Sequence, residues 1–213
     1  MDFQPNFQND QVDHEPELIF TRIGPLRINM KIYGKRNQEI PLYYVDISGS
    51  FSDYTDLALY PGADKEKPVL GNCRFNKFQK SQIEIQPHGR SKFKMSSSKE
   101  KGYYWSMPWT SISGGQGKEE QMRQFLWKDI EPASSRSGRL ELGLYDTQSS
   151  DIHAVYTGAL PGTRKGGVLK LNDDDYGEEW RTMVILTLSV LIEQARQKRN
   201  REGNSYTIGM LAY

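Results

Sequence analysis

Residues 173–201 read DDDYGEEWRTMVILTLSVLIEQARQKRNR, a stretch unlike anything that precedes it in the chain. Acidic side chains open it, and Arg196, Lys198, Arg199 and Arg201 close it. That polarity suits a helix dipole, which favours anions at the N-terminus and cations at the C-terminus. Asn172, Asp173, Asp174 and Asp175 supply capping side chains, and Glu178 and Glu179 fall in the first turns. Between the charged ends lie Trp180, Met183, Val184, Ile185, Leu186, Leu188, Val190, Leu191 and Ile192. At 3.6 residues per turn they cover every side of a cylinder, and a helix apolar all round is buried all round. The rival reading is a buried strand, because Val and Ile are frequent here. Length and charged flanks favour a helix over about 175–199. The apolar run 183–192 is far shorter than the ~20 residues a membrane-spanning helix needs, so its solvent is a protein core.

The chain that must supply this core is a series of short strand-like segments. Leu26, Ile28, Met30 and Ile32 alternate with Arg27, Asn29, Lys31 and Tyr33, the period-two signature of a half-buried strand. Segments 18–20, 42–47, 56–60, 68–75, 81–86, 92–95, 103–105, 122–127, 139–145, 152–156 and 168–171 fit the same class. Leu140, Leu142 and Leu144 form the clearest apolar face among them. Turn signals such as Gly24-Pro25, the loop 34–37 and Pro61-Gly62 separate them, and no βαβ rhythm is visible. Many short strands with turns between them imply an antiparallel sandwich or barrel. An all-β shell around one wholly buried helix selects the closed barrel, whose inward side chains meet the helix from all directions. The expected fold is mainly β: about twelve short antiparallel strands closed around a buried apolar C-terminal helix. Each fully buried Leu, Ile, Val or Met contributes about 1.5–3 kcal/mol. The large aliphatics of 183–192 then contribute roughly 10–20 kcal/mol before entropy is subtracted. A domain's whole net stability is only about 5–15 kcal/mol, so the barrel is not expected to stand without its helix.

The 213 residues suit one domain with short tails. Residues 1–16 are polar, rich in Asn, Gln and Asp, and unpatterned, which predicts a disordered arm. The barrel is expected over 17–201, and 202–213 as a C-terminal tail with an apolar patch at 206–211. A net charge of +1 gives the molecule no strong field for nucleic acid. The single cysteine, Cys73, excludes a disulfide-stapled secreted domain. The first residues carry acids and amides where a signal peptide has a basic start and an apolar run. A cytoplasmic location follows, with the nucleus and the membrane surface as alternatives and no transmembrane segment.

Short strands, an aromatic segment Gln124-Phe125-Leu126-Trp127, a segment Ile152-His153-Ala154-Val155-Tyr156, and then an apolar helix ending in Arg and Lys together resemble the tubby C-terminal-like superfamily. The likeness spans residues 18–199 and is greatest to divergent fungal members. That superfamily includes tubby proteins, plant LURP-one-related proteins and phospholipid scramblases. Membership implies a twelve-stranded barrel around a hydrophobic C-terminal helix. The resemblance lies in pattern and transfers no individual phosphoinositide-binding residue to this chain.

No catalytic constellation is apparent. His14, His88 and His153 are scattered without ligand spacing, and Cys73 has no neighbouring base or thiol, so it reads as a small buried hydrophobe. Asp173-Asp174-Asp175 lacks the alternating ligands and closing Glu of a calcium loop, and capping explains it. Gly114-Gly115-Gln116-Gly117 lacks the Lys-Ser/Thr of a phosphate loop and reads as a flexible connection, as does 134–138. Trp105, Trp109 and Trp127 suit core packing better than an aromatic cage. No metal and no cofactor are expected. One cluster stands out: Lys77, Lys80, Arg90, Lys92, Lys94, Lys99 and Lys101 fall in one quarter of the chain. Lys92 and Lys94 share one face of a strand, and lysines near an anionic surface contribute about 1 kcal/mol each. The competing reading is a solvated face with compensating acids such as Glu84 and Glu100. The expected function is a non-enzymatic intracellular module that binds anionic phospholipid headgroups, chiefly phosphoinositides, through this cluster. The alternative is a protein-interaction scaffold with an inert barrel.

Overall fold

The computed structural model describes residues 16–24, 28–48, 54–76, 82–98, 102–110, 120–130, 139–159, 166–172 and 176–210. Twelve strands precede one helix: β1 (Glu17–Arg22), β2 (Met30–Gly34), β3 (Pro41–Ser48), β4 (Tyr54–Pro61), β5 (Gly71–Asn76), β6 (Gln82–Pro87), β7 (Phe93–Ser98), β8 (Gly102–Thr110), β9 (Glu120–Asp129), β10 (Arg139–Asp146), β11 (Ile152–Ala159), β12 (Gly167–Leu171) and α1 (Gly177–Met210). Each strand pairs antiparallel with the next, and β1 pairs with β12, so the sheet closes on itself as an up-and-down barrel. Leu18 opposite Leu169 and Phe20 opposite Gly167 mark the closing seam.

The period-two pattern produces a dry lumen. In β3, Pro41, Tyr43, Val45 and Ile47 face inward, whereas Leu42, Tyr44 and Asp46 do not. The lumen is filled by α1: residues 183–192 are buried in an unbroken run, none more than 5% exposed. Of the two hydroxyls in that run, Ser189 Oγ has no hydrogen-bond partner among the described residues, whereas Thr187 is held by an indole and by its own helix. Trp127 Nε1 donates to Thr187 Oγ1 at 2.9 Å, and the same hydroxyl donates to the carbonyl of Met183 at 2.8 Å. At Gly71 the strand approaches the helix so closely that a Cβ would stand 2.6 Å from Leu186 Cδ1. Trp105 and Trp127 are core residues, 1% and 0% exposed. The side chain of Trp109 is outside the described set, as are residues 1–15, 111–119, 131–138, 173–175 and 211–213.

One boundary differs from the sequence reading. The helix opens at Gly177 and runs to Met210, so residues 202–210, expected as tail, continue it, and the basic residues Arg196–Arg201 lie inside the helix and not at its end. No proline follows Arg199, and Gly203 costs a helix only about 1 kcal/mol.

The helix defines two barrel ends. At the entry end Tyr176 meets His153, the second residue of β11, and Glu179 meets Arg90 in the β6–β7 turn. At the exit end the last residue of β1, Arg22, meets Glu193, and Thr55 near the start of β4 meets Gln197. Odd-numbered strands therefore run from entry to exit.

Near the exit, Tyr156 lies 3% exposed, edge-on to Phe20 at 5.8 Å. Its ring rests where a Cβ at Gly158 or Gly167 would stand, which makes that cross-strand glycine pair its cradle. Burial pushes its hydroxyl up to about 12, against the opposing pull of Arg22. An unfolded tyrosine ionises near pH ~10. The stability this phenol contributes is complete below that value and is lost as pH rises through the folded value, a span of roughly 3 kcal/mol. Urea midpoints should fall between about pH 10 and pH 12, and less steeply in Tyr156→Phe. Burial moves Tyr43 and Tyr103 the same way, so the substitution should reduce the slope without removing it. Identical slopes in the two proteins would show that this phenol is not buried in solution.

Candidate functional site

The outward faces of β7 to β10 form a groove of about 740 Å³. The same alternation that aims Met95, Trp105, Met107, Phe125, Trp127 and Leu144 at the helix aims their neighbours outward. The floor is Tyr104, Leu126 and Tyr145, aligned across three strands by the pairs Tyr104–Leu126 and Leu126–Tyr145. Hydroxyl and amide groups surround it: Ser96, Ser106, Gln124, and Thr147 and Ser150 of the β10–β11 turn. That turn is pinned to the sheet by the Thr147 N–H, which donates to the carbonyl of Gln124 at 3.0 Å. Ser150 holds φ at 65°, a value uncommon for a residue with a Cβ, and its amide donates to the carbonyl of Asp146.

Two cations stand at opposite corners of the groove: Lys94 toward the entry end and Lys128 toward the exit end. Neither has a carboxylate partner among the described residues. Lys128 Nζ lies 4.0 Å from the centroid of the Tyr145 ring, a cation–π contact that leaves its N–H groups for a ligand. The one acid in the lining, Asp146, is 2% exposed and turned to Arg123 at 3.4 Å. The groove thus presents net positive charge, many hydroxyls and an aromatic floor.

Of the predicted basic cluster, the described residues place Arg90, Lys92 and Lys94. Arg90, in the β6–β7 turn, pairs with Glu179 at 3.0 Å. Lys92 pairs with Glu84 at 3.3 Å. Both are exposed and both are engaged by acids, the compensating arrangement weighed against the cluster above. Lys94 alone of the placed members lines the groove. Lys77, Lys80, Lys99 and Lys101 lie outside the described residues. Lys128, Tyr104, Tyr145 and Ser96 were not singled out in the sequence. Their signal was present: once Phe125 and Trp127 face inward, Gln124, Leu126 and Lys128 must share the outer face.

Beneath the groove, at the helix entry, a polar–aromatic cluster fixes the strands. Arg123 donates to Tyr176 Oη at 2.9 Å and pairs with Asp146, and Tyr176 Oη lies 3.2 Å from His153 Nε2. Tyr176 stacks on Trp180 at 4.9 Å, and Trp105 stacks on Phe125 at 4.7 Å. This cluster sets the position of the β9 and β10 segments that carry the groove's upper rim. Elsewhere, Cys73 is 1% exposed and burial pushes its thiol up, away from the reactive thiolate. Among the described residues no group of three His, Cys, Asp or Glu is placed to hold a metal ion. No helix among them is long and apolar enough to cross a membrane. The chain matches no family model, no curated protein and no solved structure.

Proposed function

We propose that this protein is a non-enzymatic, intracellular binding module that takes anionic phospholipid headgroups, phosphoinositides among them, in the outer groove of β7–β10. The observation that carries the reading is the pair Lys94 and Lys128, two cations with no ion-pair partner among the described residues, at the corners of a hydroxyl-lined groove. A phosphorylated polyol suits that lining: lysines contact phosphate oxygens, Ser and Thr hydroxyls contact ring hydroxyls, and Tyr145 offers a flat face to the ring's apolar side. The architecture also supports a place in the tubby C-terminal-like superfamily, which is part of the proposal.

Lys94→Ala with Lys128→Ala tests it. Lys94 is exposed and Lys128 is held only by a ring contact, so stability should change by no more than about 0.5 kcal/mol for each. Flotation with phosphatidylcholine vesicles containing phosphatidylinositol bisphosphate should show at least about ten-fold weaker binding, since each lysine contributes about 1 kcal/mol near an anionic surface. Wild-type binding should weaken as salt rises, because the Debye length is only ~8 Å at physiological ionic strength. Wild-type protein that ignores these vesicles at low salt would overturn the reading and favour an interaction scaffold with an inert barrel.

A further inference from the structure

Five large apolar side chains are exposed among the described residues: Ile40, Tyr54, Met122, Ile130 and Ile152. Single exposed hydrophobes are ordinary on a protein surface, so position decides which of them carry meaning. Tyr54 and Ile130 lie at the exit end, and the Arg74 guanidinium covers Tyr54 at 4.9 Å from the ring centroid. Ile40 is at the entry end beside β3, six strands around a twelve-strand barrel from β9, so it faces away from the groove. Met122 and Ile152, 58% and 39% exposed, are different. Met122 shares the outer face of β9 with Gln124, two residues or about 7 Å along the strand. Ile152 is the register partner of Tyr145. The two bracket the β10–β11 turn, whose Thr147 and Ser150 line the groove. Met122, Ile152 and Lys94 therefore lie toward one barrel end, the helix entry, with Lys128 farther along the same groove toward the exit.

We infer that Met122 and Ile152 form a docking edge that inserts into a bilayer surface while the groove holds an anionic headgroup. The inference rests on the headgroup reading of that groove. Its occupant is a lipid membrane, argued from charge complementarity: Lys94 at the entry end of the groove matches phosphates, and the thioether and sec-butyl side chains beside it match the acyl region. A soluble anion would fill the groove and leave both apolar groups in water. The bilayer is the surface that satisfies both. The barrel then stands with its helix-entry end, on the β9–β11 side, toward the membrane.

The test separates the two claims. Full-length Met122→Ser with Ile152→Ser is titrated against two probes: phosphatidylcholine vesicles containing phosphatidylinositol bisphosphate, and soluble inositol trisphosphate. Unchanged affinity for the soluble probe, with about ten-fold weaker vesicle binding from the lost apolar burial, supports the docking edge. Unchanged vesicle binding overturns the edge and leaves the headgroup reading intact. Wild-type protein that binds neither probe overturns the headgroup reading itself, and the edge with it. A second measurement does not depend on affinity. Because Cys73 is buried, Met122→Cys offers one accessible thiol among the described residues for an environment-sensitive dye. Its emission should shift to the blue on vesicles and stay unshifted with inositol trisphosphate. A dye that remains in water on vesicle-bound protein overturns the edge.

Discussion

Leu188→Asp should abolish the folded protein. Leu188 is 0% exposed at the middle of the lumen, where α1 is ringed by strands. A carboxylate there has no partner, and burying it unpaired costs several kcal/mol or forces it to take up a proton. That loss approaches or exceeds the whole stability of a typical domain, about 5–15 kcal/mol. The variant is expected in inclusion bodies or, if recovered, with no cooperative thermal transition. Leu188→Met nearly conserves volume and should cost less than about 1.5 kcal/mol, so it controls for the position itself. Soluble Leu188→Asp with an unchanged melting temperature would show that the helix is not the core.

The second large effect belongs to the exit end, where the helix leaves the barrel through a buried charge network. Glu193 is 0% exposed. Arg196 grips its carboxylate at 2.6 and 2.7 Å, Gln197 donates to it at 3.0 Å, and Arg22 stands 3.8 Å away. Gln197 also donates to Thr55 Oγ1 at 3.0 Å, which ties the helix to β4. Burial pulls Arg22 below the usual guanidinium range, and Glu193 is the chief group resisting it. Glu193→Ala leaves two guanidinium groups facing each other without their anion. Removing one partner from a buried ion pair costs about 3–5 kcal/mol, and chemical denaturation should register a loss of that size. Replacing the three charges together, Arg22→Met, Glu193→Leu and Arg196→Met, should restore most of it, because apolar groups of similar volume carry no desolvation penalty. A loss under about 1 kcal/mol in the single variant, the range of exposed ion pairs, would place the network in water.

The helix and the strands were legible because both follow from one-dimensional periods. Leu140, Leu142 and Leu144 announce an inward face by alternation, and the run 183–192 announces burial on all sides. Closure was legible because a helix apolar all round needs a shell. The end of α1 was not, because the basic run after Ile192 imitates a terminus. It is instead the point where a continuing helix passes from lumen to surface: Gln197 is buried and Lys198 exposed.

The candidate site was half legible for a different reason. A groove on a meander joins residues by strand pairing and not by closeness in sequence. Lys94 is within four residues of Arg90 and Lys92 in any count of charges, yet those two bind Glu179 and Glu84. Its groove companion, Lys128, is 34 positions away in number and two strands away in space. Alternation tells which face a residue takes; only register tells which residues share a groove.

The order of elements along the chain has a consequence for synthesis. Translation delivers all twelve strands before the segment they enclose, and β1 must wait for β12 to close the seam. A nascent chain halted before residue 183 has inward faces without the filling that makes them stable, so it offers chaperones and proteases a sheet of exposed apolar side chains. Folding becomes a late, nearly single event, triggered as α1 clears the ribosome, and prematurely terminated products have no folded form in which to persist.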